Sequence, residues 1–335
     1  MRVLLTGGTG FLGRRLAEAL APRHDLVILV RPTADRTGLP ASATLVEGDV
    51  TDRDSLARAA GGCAAIVHAA ALVKILAPKR QFDRVNLAAL DHLLEIARGV
   101  DRIVYVSSFI ALGPTEGLPG GVADETTPAL GPHGPRRRWI NHYERTKTLA
   151  DRRARQAIDE GAPLAVVYPG VVYGPGTLTE GNIVVRHLLD LARQRVPGLL
   201  GRPERRWNYV FVDDAAEGVA RVLEAAPPGS RYCLGGENVT LDDFYRLVAE
   251  IGGIRVPSRR MPDAVARVAG LVAREWARAR GTTPRLTPDL VEIYRHDWAL
   301  DSGRAAADLG YRPRGLREGL EETVLWLREL GIWRR

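Results

Sequence analysis

The stretch Arg2–Gly13, RVLLTGGTGFLG, decides the fold. An apolar strand pattern runs into Gly7, Gly8, Gly10 and Gly13 and then directly into the helical pattern FLGRRLAEAL, residues 11–20. Glycines at such a junction allow a tight turn, close approach of backbone to a pyrophosphate and close helix packing. The free N–H groups at the helix start attract the anion. Gly7, Gly10 and Gly13 give the spacing GxxGxxG, and with Phe11 and Leu12 they form the expected dinucleotide contact.

Outward from this turn, RVLLTG, LVILVR, ATLVEGD, AAIVHAA, RIVYVSS and LAVVYPG alternate with amphipathic stretches over the first 170 residues. That rhythm predicts an α/β fold, a Rossmann-type doubly wound parallel sheet. Beyond Gly174, Pro and Gly breaks loosen the pattern, and only WNYVFV and RYCLGG resemble further strands. A smaller, irregular C-terminal substrate lobe is therefore expected. The predicted division is a dinucleotide-binding domain over 1–173, with 207–235 returning to it, and a substrate lobe from 174–206 and 236–330.

The 335 residues are 45% apolar and 26% charged, enough to bury a large core. The formal charge of +7 comes from arginines spread through many helices rather than one stripe, so nucleic acid is not an expected partner. Cys63 and Cys233 lie far apart, with no histidine at metal-ligand spacing, which argues against a disulfide framework or metal site. Apolar runs are too short for a membrane span, and the start turns glycine-rich before a signal segment is complete. A cytoplasmic protein is expected. Only Lys74, Lys79 and Lys147 stand against forty-four arginines, so each retained lysine invites a chemical explanation.

About twenty residues past the glycine turn, an acidic residue would bond the ribose of NAD. Here the strand ends in Arg31, whose guanidinium suits a 2′-phosphate, so NADP is favoured over NAD. Asp49 and Val50 end the third strand, where a carboxylate can meet the adenine amino group. Ala69, Ala70 and Ala71 end the fourth and leave room for the cofactor.

NHYERTKTLADRRARQAI reads as a helix capped by Asn141, with Glu144 three residues on. Tyr143 and Lys147, four apart, share a face. A phenol is a poor base at neutral pH, but a neighbouring ammonium and an oxidised nicotinamide both favour its anion, making Tyr143 a credible acid/base. Ser107 and Ser108 end the strand RIVYVSS, where open α/β sheets bind ligands. They point to opposite faces; Ser108 is the choice for polarising a carbonyl and Ser107 the structural hydroxyl. Asn86, polar in the apolar helix FDRVNLAALDHLLEIA, either holds a water or carbonyl behind Lys147 or satisfies a local backbone group.

With TGGTGFLG, GDVTD, HAAA, YVSS, HYERTK, YPGVVYGPG and YVFVDDAAEG in this order, the chain resembles the extended short-chain dehydrogenases, the NAD-dependent epimerase/dehydratase family. VSSFIALG, the insertion before HYERTKTLAD, and RHDWALD look most like the dihydroflavonol-4-reductase branch and its farnesol-dehydrogenase-like members. The resemblance implies a catalytic set of Ser108, Tyr143 and Lys147 with Asn86 supporting the lysine, and a homodimer built through two helices per subunit. It also implies that Tyr168, Pro169, Gly170, Val171 and Val172 pass beside the nicotinamide, joined by Ser107, Tyr143 and Lys147. Relatives often carry arginine at position 168, and the tyrosine weighs against a sugar-nucleotide role. In epimerase relatives basic groups of the second lobe hold a diphosphate, a part open here to Arg202, Arg205 and Arg206.

The expected function is hydride transfer between nicotinamide and the alcohol or carbonyl of a hydrophobic or phenolic small molecule. A sugar-nucleotide epimerase or dehydratase is the alternative, and a non-catalytic dinucleotide sensor is disfavoured by the intact serine, tyrosine and lysine. The run MPDAVARVAGLVAREWA, with Met261, Val265, Val268, Leu271 and Val272, reads either as the buried face of a lobe helix or as a cover for an apolar substrate.

Overall fold

A computed structural model describes residues 1–96, 99–129 and 139–333, so part of the insertion before HYERTKTLAD lies outside the described residues. The chain begins with β1 (Arg2–Thr6), α1 (Phe11–Leu20), β2 (Asp25–Val30), β3 (Thr44–Glu47), α2 (Arg53–Ala60) and β4 (Ala65–His68). A short α3 (Lys79–Phe82) passes through a π-helical turn, Asp83–Ala88, into α4 (Ala89–Ile96). Then come β5 (Arg102–Val106), α5 (His142–Asp159), β6 (Leu164–Pro169), β7 (Val171–Tyr173) and α6 (Ile183–Ala192). The remainder is β8 (Arg206–Phe211), α7 (Val212–Ala225), β9 (Arg231–Leu234), β10 (Glu237–Thr240), α8 (Leu241–Gly252), α9 (Asp263–Arg280), α10 (Pro288–Ile293), α11 (Gly303–Leu309) and α12 (Leu316–Glu329).

Seven parallel strands form the main sheet in the order β3-β2-β1-β4-β5-β6-β9. Helices cover both faces, with Leu16, Ala216, Val219 and Ala305 packed on one side and Leu56, Leu90, Ala150 and Ala154 on the other. Burial on both faces is why the inner strands read as unbroken apolar runs. The strand order reverses between β1 and β4, and the crevice at their carboxyl ends is where such sheets receive ligands.

A second sheet, β10-β8-β7, belongs to the other lobe, where Tyr209 stacks on Phe244 with ring centroids 4.6 Å apart. The reading that only WNYVFV and RYCLGG supply strands beyond Gly174 missed β10, and β7, which ends before Gly174, was not set apart from β6. β7 is three residues long and continues the apolar run of β6 past Gly170, while β10, ENVT, buries only Val239. Of residues 207–235, the strand β8 lies in this second sheet, whereas α7 packs on α1 and β9 completes the large one.

The chain passes from β6 to β7 at Gly170 and from β9 to β10 at Gly235–Gly236, and these two passages between the sheets close on fully buried Asn208. Its Oδ1 accepts from Gly236 N at 2.9 Å, and its Nδ2 donates to Gly236 O at 3.2 Å and to Asn238 Oδ1 at 2.9 Å. A side chain at Gly170 or Gly235 would run into this carboxamide.

Candidate active site

The glycine turn is forced by proximity. Gly7 has φ +78°, and a Cβ there would lie 2.6 Å from Ala70 N and 2.7 Å from Ala69 C. A Cβ on Gly13 would overlap the Gly7 carbonyl and stand 2.7 Å from its carbon, so α1 seats directly on the turn. Gly10 closes the turn by donating to Gly7 O at 2.9 Å, and as cap of α1 it offers no side chain to the helix end. Backbone alone thus frames the N-terminus of α1 beside Phe11 and Leu12, a cradle that fits a pyrophosphate.

Other expected cofactor contacts lie around the same crevice. Arg31 follows β2 and is exposed, while the nearby Asp35 carboxylate is turned back onto Thr37 N at 2.9 Å and Arg14 at 3.0 Å. Asp49 follows β3, its Oδ1 accepting from Thr51 N at 2.8 Å, with half-buried Val50 beside it. Ala69 and Ala70 are tied to Thr6 by their N–H groups, and half-buried Ala71 follows.

α5 starts where the sequence indicates, because Asn141 Oδ1 accepts from Glu144 N at 2.8 Å. The Glu144 carboxylate reaches back to Ile140 N, one residue earlier than a regular capping box. Tyr143 is half-buried on the first turn; burial raises its phenol pKa and a hydrogen bond with Ser108 lowers it. Ser108 caps a short turn after β5, and Ser107 is buried beside it.

Lys147 is only 3% exposed and donates to Val106 O at 3.0 Å, 5.3 Å above the Tyr105 ring. Burial brings its pKa down to about 8, and Asp151, one turn further on, pulls it back up. His68, held by Thr6 Oγ1 at 2.8 Å, is pushed down to about 3 by burial and by Lys147, and so stays neutral.

Asn86 resolves to the local alternative and more. In the π-helical turn its Oδ1 accepts from Leu72 N at 2.7 Å, while its Nδ2 donates to Leu72 O at 3.3 Å and Thr146 Oγ1 at 3.0 Å. It therefore clamps the loop after β4 to the residue beside Lys147, without a bond behind the lysine. Tyr168 is fully buried with its ring toward α5 and accepts from Arg155 at 3.1 Å, so its side chain faces away from the crevice. Pro169 and Gly170 are buried, and Val171 and Val172 half-buried. Arg155 also pairs with fully buried Asp151 at 2.8 Å. Sequence reasoning missed His68, Tyr105, Asp151 and Arg155; only Asp151 carried a signal, standing four residues after Lys147 on one helical face.

An open cleft of about 960 Å³ borders the first turn of α5, lined by Ile75, Leu76, Trp139, Ile140, Arg274 and Arg278 among others. Arg205 bonds Asp297, and Arg206 bonds the carbonyls of Gly120 and Gly121, which leaves Arg202 exposed without them. Of the two readings of Val265, Val268, Leu271 and Val272, the buried helix face is overturned. All four are exposed, and α9 packs inward through Ala266, Gly270 and Ala277, whose small size lets the helix approach α10 closely. Met261 is half-buried.

The family model described as NAD dependent epimerase/dehydratase family matches residues 3–235. The sterol demethylase protein B of Methylococcus capsulatus is 29% identical, over 99% of this chain and 100% of that protein. The 3 beta-hydroxysteroid dehydrogenase/Delta 5→4-isomerase of Mycobacterium tuberculosis is 30% identical, over 93% of this chain and 86% of that protein. Among solved structures, the UDP-glucose 4-epimerase of Thermus thermophilus in complex with NAD is 25% identical, with a TM-score of 0.73 covering 98% of this chain and 99% of that one.

Proposed function

The chain belongs to the NAD-dependent epimerase/dehydratase family, and on that premise we propose that it interconverts an alcohol and a carbonyl on a hydrophobic substrate, with Tyr143 moving the proton. The observation that carries this reading is the seating of Tyr143 beside Ser108 and one turn from a buried Lys147. A bound nicotinamide dinucleotide supplies or accepts the hydride. Gly7, Gly10, Phe11, Leu12 and Gly13 would hold its pyrophosphate, Asp49, Val50 and Ala69–Ala71 its adenosine side, and Ser107 with the backbone of 168–172 its nicotinamide end.

In the reductive direction Ser108 donates a hydrogen bond to the substrate oxygen and Tyr143 transfers its proton to the forming alkoxide. The Lys147 ammonium stabilises the phenolate left behind. Oxidation reverses each step. Asn86 keeps the loop after β4 and the catalytic helix in fixed relation. We assign NADP as the preferred form on the exposed Arg31, since Asp35, four residues on, is committed to Arg14 and Thr37.

The hydrophobic substrate class is supported by the cleft at the start of α5, whose lips include Ile75, Leu76, Trp139 and Ile140. The sterol and steroid names of the two relatives point the same way. A sugar-nucleotide role is disfavoured because Arg205 and Arg206 are bound within the protein. The test is turnover of a panel of hydrophobic alcohols with NADP⁺ or NAD⁺, wild type against Tyr143→Phe. Loss of turnover in the variant is expected. Turnover that persists, or NAD that copurifies and resists dialysis with no alcohol oxidised, overturns the reading.

A further inference from the structure

α9 turns an apolar face to water. Val265, Val268, Val272 and Trp276, spaced three and four apart, make one stripe along the helix, and they are 56%, 63%, 64% and 55% exposed. Leu271 widens it. A helix on the surface of a water-soluble lobe carries charge on its outer face and apolar residues inward. Here the inner face is Ala266, Gly270 and Ala277, and the outer face is the greasier one.

The borders of the stripe are basic. Arg267, Arg274 and Arg278 run along one edge, and Arg280 stands at the other with its guanidinium 4.2 Å from the Trp276 ring. Residues 253–285 hold eight arginines against two carboxylates, Asp263 and Glu275, in a chain whose whole surplus is +7. Arg267 pairs with Glu292, and Arg274 and Arg278 with Glu275, but these are surface pairs of small worth that a phosphate can displace.

We propose that α9 is a peripheral membrane-docking helix that lays its Val, Leu and Trp stripe into the headgroup boundary of an anionic bilayer, with the flanking arginines on lipid phosphates. An apolar face bordered by arginine, with tryptophan in it, is the chemistry of an interfacial helix. A second copy of the chain is the poorer occupant. One 18-residue helix is about 27 Å long, and a stripe about 10 Å wide along it offers roughly 300 Å², well short of the ~800 Å² per partner of a stable interface.

Arg274 and Arg278 also line the cleft beside the catalytic helix. Docking would therefore bring the mouth of that cleft to the lipid boundary, where an apolar molecule can enter without crossing water. The proposal goes beyond the catalytic reading, and its test uses no turnover, so either can fail alone.

The experiment is cosedimentation of the full chain with vesicles of phosphatidylcholine alone or mixed with phosphatidylglycerol, for wild type and for the double variant Val268→Glu/Val272→Glu. Both positions face solvent, so the variant keeps the wild-type melting curve. Wild type is expected to bind the anionic vesicles and to be released partly by high salt. The double variant should bind at least about tenfold more weakly, the loss of two buried valines on this face. Failure of wild type to bind anionic vesicles overturns the proposal, as does equal binding by the variant. A wild-type oligomer that the double variant dissociates, seen by light scattering, would assign the face to a second copy and overturn it too.

Discussion

Replacing Lys147 with methionine should stabilise the fold while abolishing turnover. The amine is 3% exposed, and burial takes its pKa from the ordinary 10.5 to about 8. Between those values the unfolded chain keeps a proton that the folded protein has released, so wild-type stability rises with pH across the window. Below pH 8 the buried ammonium destabilises the fold by about 3 kcal/mol, and at pH 10 by less than about 1 kcal/mol. Methionine carries no such penalty but forfeits the hydrogen bond to Val106 O, about 1–2 kcal/mol. The variant should therefore match or exceed wild type at pH 7, and its relative stability should fall by about 2–3 kcal/mol between pH 7 and pH 10. Urea unfolding at both pH values measures this cleanly, because only Lys74 and Lys79 remain as other side-chain amines and the tyrosines and cysteines titrate in both proteins. Turnover should drop about a hundredfold or more, since the Tyr143 phenolate loses its cation. A stability difference that stays flat from pH 7 to pH 10 would refute the buried amine as described.

Gly13→Ala should weaken cofactor binding at least about tenfold and destabilise the fold by about 2 kcal/mol, because the obstacle is backbone that cannot step aside. Gly117→Ala, where nothing lies within 4 Å, should leave both cofactor titration and melting unchanged. Arg31→Ala should raise KM for NADP by about tenfold to a hundredfold, the loss of a charge-assisted bond, with little change for NAD. Asp151→Asn removes the charge that holds the Lys147 pKa up, so the alkaline limb of the kcat/KM profile should move to lower pH; an unmoved limb would show that this carboxylate does not reach the amine.

What the sequence made legible follows from where the physics is local. The inner strands of the large sheet are buried on both faces and announce themselves as runs such as LVILV and IVYV. Their turns carry glycines with no steric alternative, as at Gly13. The catalytic helix was readable because its cap and its Tyr143–Lys147 spacing lie within one turn. By contrast, β7 and β10 are defined by pairing with β8, and neither VVY nor ENVT states that on its own. Tyr168 joins the Asp151–Arg155 pair only after β6 is laid against α5. Periodicity exposed the apolar stripe of α9 but not which side met water. The signal for that was the companion row of Ala266, Gly270 and Ala277, small enough for a helix to sit close to its neighbour.

The Asn208 carboxamide ties the two sheets together at two passages of the chain. Two of the chain's passages between the sheets close on this single fully buried amide, so a rocking motion there would have to break its bonds to Gly236 and Asn238 in a place water does not reach. A clamshell opening hinged at these two passages therefore carries the cost of unpairing a buried amide.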